Sequence, residues 1–91
     1  MRDVARTTRF KRDYKREKKT DPGLDDDFIA VLELLAIDAE LPDRLRDHSL
    51  AGKWKGHRDC HIKPDLVLIY SKPNDAELIL TRLGSHSEVF D

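Results

Sequence analysis

Apolar positions along the chain follow two rhythms. Phe28, Val31, Leu32, Leu35 and Ala39 recur at intervals of three and four, with Ile29 and Ala36 widening the stripe. That spacing predicts an amphipathic helix packed on the rest of the fold, opened by Asp25-Asp26-Asp27 and closed by Leu41-Pro42. A thinner stripe, Phe10 and Tyr14 only, marks an earlier helix over RFKRDYKREKK, capped by Thr7 or Thr8 and ended by Asp21-Pro22-Gly23. Ahead of it, Arg2 to Thr7 reads as a short strand with Val4 inward.

The second rhythm has period two. From Lys53, the residues Trp54, Arg58, Cys60 and Ile62 fall on one side and Lys55, His57, Asp59, His61 and Lys63 on the other, which predicts a strand with one ionisable face. Lys63-Pro64-Asp65 turns the chain into LVLIYS, apolar on both faces and therefore a central strand. Pro73-Asn74-Asp75 is a hairpin turn. Glu77 to Leu83 is the next strand, with Leu78, Leu80 and Arg82 on one face and Ile79, Thr81 and Leu83 on the other. His86 to Phe90 reads as a short terminal strand or tail. The order β-α-α-β-β-β-(β) with short late connections predicts an α+β fold, a small antiparallel sheet against two N-terminal helices, in one domain spanning residues 1–91.

Composition narrows this picture. A chain of 91 residues buries only about 60% of its unfolded surface, so the core is small. The single cysteine cannot make an internal disulfide, and no apolar run approaches a membrane span; a cytoplasmic protein without membrane contact is the expectation. The net charge of −1 hides a strong asymmetry: +6 over residues 1–20, −7 over 21–47 and zero over the remainder. A basic first helix suits a phosphate backbone, with Arg9, Arg12, Lys15 and Arg16 as candidate contacts and Lys53 and Lys55 beyond it.

The chemistry concentrates between Asp47 and Asp65, DHSLAGKWKGHRDCHIKPD, which carries three of the four histidines, the tryptophan and the cysteine. Imidazole titrates near neutrality and serves as general base or general acid. A metal site is weighed on His57 and His61; on a strand they lie about 13 Å apart, too far for one ion. Cys60 reads as a small core residue, Trp54 as packing, Asp59 as a partner for Arg58 or a lysine, and His57 as an exposed strand residue.

The segments DHSLAGKWKGHRDCHIKPDLVLIY (Asp47–Tyr70) and TRLGSHSEVF (Thr81–Phe90) resemble YafQ-type toxins of the RelE/ParE superfamily of bacterial toxin–antitoxin systems. The resemblance implies a RelE-like, microbial-ribonuclease-like fold and a ribosome-dependent mRNA endonuclease that inhibits translation. It implies a site of His48, His61, Asp65, His86, Arg82 and Phe90, with no cofactor and no metal. It implies a cognate antitoxin of the DinJ or RelB type as partner, mRNA on the ribosome as target, and contact with operator DNA only through the antitoxin. Two positions depart from the family pattern: Leu66 stands where tryptophan is frequent, and His57 where tyrosine is.

In such a reaction the substrate's 2′-hydroxyl attacks the adjacent phosphorus, a base takes its proton, and an acid protonates the leaving 5′-oxygen. His86 is expected to serve as an acid–base residue, with His48 or His61 as its counterpart and Asp65 orienting a histidine or acting as base. Arg82 brings forked donors to phosphate oxygens. Two other classes are a non-catalytic RNA- or DNA-binding module and a gyrase-poisoning, ParE-like toxin. Neither needs the histidines.

Overall fold

The computed structural model describes residues 1–90. Strand β1 (Asp3–Arg6) leads into helix α1 (Thr8–Thr20) and helix α2 (Leu24–Ala36). A 3-10 turn at Asp43–Leu45 precedes the two-residue strand β2 (His48–Ser49), and another at Gly52–Trp54 precedes β3 (Arg58–Lys63). Strands β4 (Leu66–Ser71) and β5 (Glu77–Gly84) follow, then helix α3 (His86–Phe90). The strands form one sheet in the order β1-β5-β4-β3-β2, with LVLIYS at its centre as its two apolar faces require. All pairs are antiparallel except β1 with β5, so the sheet of this α+β fold is mixed. No helix among the described residues is long and apolar enough to cross a membrane.

The sheet has two faces with different tasks. On one, Phe10 of α1 and Leu24, Phe28, Val31 and Leu35 of α2 pack against Cys60, Leu68, Tyr70, Leu78, Leu80 and Leu83. On the other, Val67 and Ile69 are covered by Val89 of α3 and flanked by Leu50, Trp54 and Phe90. The helices thus build the scaffold behind the sheet and leave its front to the loop and tail residues.

Several local expectations change. Helix α2 stops at Ala36, well before Pro42, because Asp38 takes a left-handed conformation (φ 58°). Ala39 N–H then bonds Leu34 O and Asp38 N–H bonds Leu35 O, a Schellman closure. The Asp38 carboxylate receives Arg2 Nε at 2.8 Å and Lys72 Nζ at 2.6 Å, which ties the helix end to both edges of its surroundings. Ile29 is exposed rather than part of the buried stripe, and Val4, expected inward, is exposed on the edge strand. Gly52 (φ 66°) and Gly56 (φ 87°) bend residues 52–57 into turns, so β3 starts at Arg58. Trp54 consequently packs on the front face, not beside Cys60, and His57 lies half-buried ahead of the strand with its ring edge-on to Trp54.

Two bulges re-aim side chains. Ile62 is the extra residue between the pairs His61–Val67 and Lys63–Leu66, and Lys63 ends on the helix side, bonded to Asp21 and 3.3 Å from Asp27. Thr81 is the extra residue between Tyr70–Leu80 and Ile69–Arg82. Strict alternation would put Arg82 with Leu78 and Leu80; the bulge puts Leu83 there and turns Arg82 to the front. Thr7 holds the bulge, its hydroxyl donating to Thr81 O at 2.8 Å and its N–H to Leu80 O at 3.0 Å. The same hydroxyl oxygen accepts from Phe10 N–H and caps α1.

Candidate active site

Register alone assembles most of the front face. His48 stands opposite Asp59, Asp59 opposite Ile69, and Ile69 opposite Arg82, one row across four strands. In the next row His61 stands opposite Val67, and Val67 opposite Gly84. Residues opposite one another on adjacent strands share a face. The chain then leaves Gly84 and folds back as α3.

The tail is a helix, not a strand, because Ser85 and Glu88 form a capping box: Ser85 N–H donates to Glu88 Oε1 at 2.9 Å, and Glu88 N–H donates to Ser85 Oγ at 3.3 Å. Helical spacing brings His86 and Phe90 together, ring centres 4.7 Å apart. Gly84 makes the return possible. A Cβ there would meet Arg16 Nη2 at 3.0 Å and Val89 Cγ1 at 3.3 Å.

The centre of the site is Asp59, which sequence reading assigned to Arg58 or a lysine. It is 2% exposed, and its Oδ1 is buried without a hydrogen-bond partner. Burial pushes its carboxyl above the usual carboxylate range; the charges of His48, His61 and His86 pull against that shift. Three imidazoles from separate parts of the chain therefore lie within electrostatic reach of one buried carboxylate. The signal was present in the sequence, since Asp59 and His61 alternate onto one face, but the pairing with His48 needs the register.

Two of the imidazoles are oriented by the backbone. His48 Nδ1 lies 2.8 Å from Arg46 O and 3.0 Å from Asp59 Oδ1, with hydrogen-bond geometry met at the carbonyl. His61 Nδ1 lies 3.2 Å from Pro64 O. A carbonyl only accepts, so each Nδ1 carries the proton, and in the neutral ring each Nε2 presents a lone pair. Arg46 adopts left-handed backbone (φ 49°, ψ 43°), and it is this turn that offers its carbonyl to His48. Behind the loop, Asp47 accepts from Arg58 Nε and Nη2 at 3.3 and 3.2 Å and from the Tyr70 hydroxyl, which ties the residue before His48 to β3 and β4. Arg58 thus serves Asp47, not Asp59. Burial, with the hydrogen bond to Asp47 and its charge, pushes the Tyr70 hydroxyl well above its ordinary range, so it serves as a donor. Burial drives the Cys60 thiol up to about 12, and the residue is inert packing, as its place in the sequence suggested.

Arg82 sits at the other end of the row. Its Nε and Nη2 bond Asp13 at 2.8 and 3.3 Å. Asp13, a buried acid on the basic helix that the sequence pattern did not single out, also accepts from Leu83 N–H at 3.0 Å and Arg16 Nη1 at 3.1 Å. Arg82 borders a hollow of about 380 Å³ with Arg9, Lys53, Trp54 and Val89. Of the basic residues expected to meet RNA, Arg9 and Lys53 therefore flank Arg82. Arg16 is engaged by Asp13, Glu17 and Glu88, while Arg12, Lys15 and Lys55 are exposed.

Asp65, at the β3–β4 turn, lines a separate hollow with Glu17, Asp21 and Lys63, and Leu66 beside it packs into the helix-side core. A hollow of about 460 Å³ carries Glu40, Asp43 and Asp47 and is lined by none of the histidines. No three His, Cys, Asp or Glu side chains among the described residues gather closely enough to share an ion.

Replacing Asp59 with asparagine separates stability from chemistry. A carboxyl whose proton affinity is raised by folding costs stability at pH values above its folded pKa, so the amide is expected to raise the melting temperature. The same change removes the charge that faces the imidazoles. Loss of about 1.4 kcal/mol there lowers the rate about tenfold. Thermal melts beside a cleavage assay read both effects; a lowered melting temperature would contradict the cost assigned to the charge.

Comparison with known proteins places these features. Residues 2–91 match the family described as "Bacterial toxin of type II toxin-antitoxin system, YafQ". A Haemophilus influenzae protein named a putative toxin YafQ is 38% identical over 90 residues, covering 93% of this chain and 88% of its own. The mRNA interferase toxin YafQ of Escherichia coli K12 is 34% identical over 90 residues, covering 99% and 97%. The crystal structure of the E. coli DinJ–YafQ complex contains a chain that superposes with a TM-score of 0.88 at 33% identity over both full lengths. A metal-bound toxin from Helicobacter pylori superposes with a TM-score of 0.90 at 38% identity, covering 99% of this chain and all of that one.

Proposed function

The chain belongs to the YafQ family of bacterial type II toxin–antitoxin toxins, and from that premise we propose that it is an mRNA endonuclease working on the ribosome by histidine acid–base chemistry without a metal. The observation that supports this reading is the sheet face on which His48 lies 3.0 Å from the buried Asp59 and His61 shares the strand of Asp59, both imidazoles with tautomers set by backbone carbonyls.

His48 is the base. Its lone pair at Nε2 takes the proton of the substrate's 2′-hydroxyl, and the imidazolium so formed lies beside the Asp59 carboxylate at 3.0 Å. The 2′-oxygen bonds to phosphorus, the bond from phosphorus to the 5′-oxygen breaks, and the electron pair leaves on that oxygen. His86, exposed on α3 against Phe90, donates the proton that completes the 5′-hydroxyl. The products are a 2′,3′-cyclic phosphate and a 5′-hydroxyl end. His61 and Arg82 stabilise the phosphoryl oxygens, Arg82 held in plane by Asp13. Asp65 and Pro64 form the turn that carries the His61 anchor. The ribosome supplies alignment of the mRNA, which an open sheet face lacks on its own.

An antitoxin of the kind present in the DinJ–YafQ complex is the proposed partner, and it restores growth by occupying this face. The test is product chemistry. Purified toxin, ribosomes and mRNA are expected to give 5′-hydroxyl and 2′,3′-cyclic phosphate ends. Ends carrying a 5′-phosphate, the mark of attack by water rather than by the 2′-oxygen, would rule out this mechanism.

A further inference from the structure

A second cationic hollow adjoins the histidines at the end of the row away from Arg82. It measures about 200 Å³ and is lined by Arg44, Arg46, His61 and Pro64; a smaller one of about 130 Å³ shares Arg44, His61 and Pro64. Arg44 is carried by the 3-10 turn that the buried Leu45 pins to the core, and Arg46 follows in its left-handed turn.

These two guanidiniums differ from the four that acids hold. Arg2, Arg16, Arg58 and Arg82 each hold a carboxylate. Arg44 and Arg46 are exposed and have no ion-pair partner among the described residues. The nearby acids are occupied or turned elsewhere: Asp47 is taken by Arg58 and Tyr70, and Glu40 and Asp43 border Arg46 on its other side without pairing to it. Arg82 lies three strands from His48, about 14 Å at ordinary strand spacing, so the cationic hollow of Arg9, Lys53 and Arg82 and that of Arg44 and Arg46 bracket the imidazoles.

We propose that Arg44 and Arg46, in the hollow bordered by His61, bind a backbone phosphate of the RNA next to the scissile one, and that these two arginines set the register of the strand over the histidines. The inference rests on the nuclease reading above. Guanidinium forks match phosphate oxygens, and two unpaired forks beside an imidazole provide for one phosphate what Arg82 provides for another. The backbone carbonyl of Arg46 also orients His48, so strand grip and base orientation meet in a single residue.

The experiment compares wild type with Arg44→Ala/Arg46→Asn, asparagine being chosen because it tolerates left-handed backbone. The control is Arg6→Ala on the opposite edge strand. Binding of a short RNA carrying 2′-O-methyl groups throughout, which cannot be cut, is read by fluorescence anisotropy over a range of salt. The double variant is expected to bind about 10-fold more weakly at low salt and to flatten the plot of log Kd against log salt by about 0.7, the change for one lost phosphate contact. On ribosome-bound mRNA its KM rises, and Arg6→Ala changes none of these. An unchanged salt slope and KM, with wild-type cutting intact, overturns the proposal alone. A wild type that neither binds nor cuts RNA overturns the nuclease reading with it.

Discussion

Replacing His86 with alanine is expected to slow mRNA cleavage about 10²–10⁴-fold, the range for loss of one positioned proton donor. The fold is expected to survive. His86 is exposed, is the first residue of α3, and contributes to packing only through the face of Phe90. The buried anchor of that helix is Val89 against Val67 and Ile69, which the substitution leaves in place. Induced expression in a sensitive host therefore separates two outcomes. Wild type arrests growth and produces new mRNA 5′ ends; His86→Ala does neither while accumulating as folded protein. Full toxicity from a folded His86→Ala would remove His86 from the reaction and leave a two-histidine site of His48 and His61.

The largest loss of stability is expected from Asp13→Ala. The carboxylate accepts Arg82 twice, Arg16 once and the Leu83 N–H. Removing it leaves a mostly buried guanidinium and a backbone donor unpaired, which costs about 3–5 kcal/mol. In a domain of this size each kcal/mol lowers the melting temperature by about 4–8 °C. The effect depends on pH. Burial alone would raise the Asp13 carboxyl, but the bonds from Arg82 and Leu83 and the charges of Arg82 and Arg16 together hold it below the ordinary range. A depressed carboxyl contributes stability that is fully present above its unfolded pKa, about 3.9, and is lost as pH falls through the folded value. Wild type should therefore lose stability steeply below about pH 4, and Asp13→Ala, already without the contribution, less steeply. Denaturant melts across that range measure the difference, and parallel slopes would show that Asp13 carries no such linkage. Asp13→Ala also frees Arg82, so the remaining folded protein is expected to cut poorly.

Much of the scaffold could be read from the chain because it obeys periodicity. The helix stripe of Phe28, Val31 and Leu35, the doubly apolar LVLIYS and the turn at Pro73-Asn74-Asp75 each follow from one local rule, and all are present. Where reading failed, a local feature broke the period. Two left-handed glycines cut the strand from Lys53 to His57. A Schellman closure at Asp38 shortened α2. The bulge at Thr81 exchanged the faces of Arg82 and Leu83. The tail, which reads as a short strand or an irregular end, is a helix: Ser85-x-x-Glu88 spells its start, but only a few residues follow to carry a helical period. The histidines could be named from the motif, but Asp59 and Asp13 could not be given their roles. A buried acid looks like any other in sequence until its neighbours arrive from β2, β5 and α1.

The parallel pairing of β1 with β5 also bears on when the molecule can exist during its synthesis. Asp3 pairs with Glu77, and Thr7 reaches Leu80, so the first strand waits for the last one. Contacts of such sequence separation form late. A nascent chain that ends short of β5 has neither its closing strand nor the segment that bears Arg82 and His86. Under the proposed mechanism such a growing polypeptide lacks two residues of the site, and toxicity is expected only once β5 and α3 have formed.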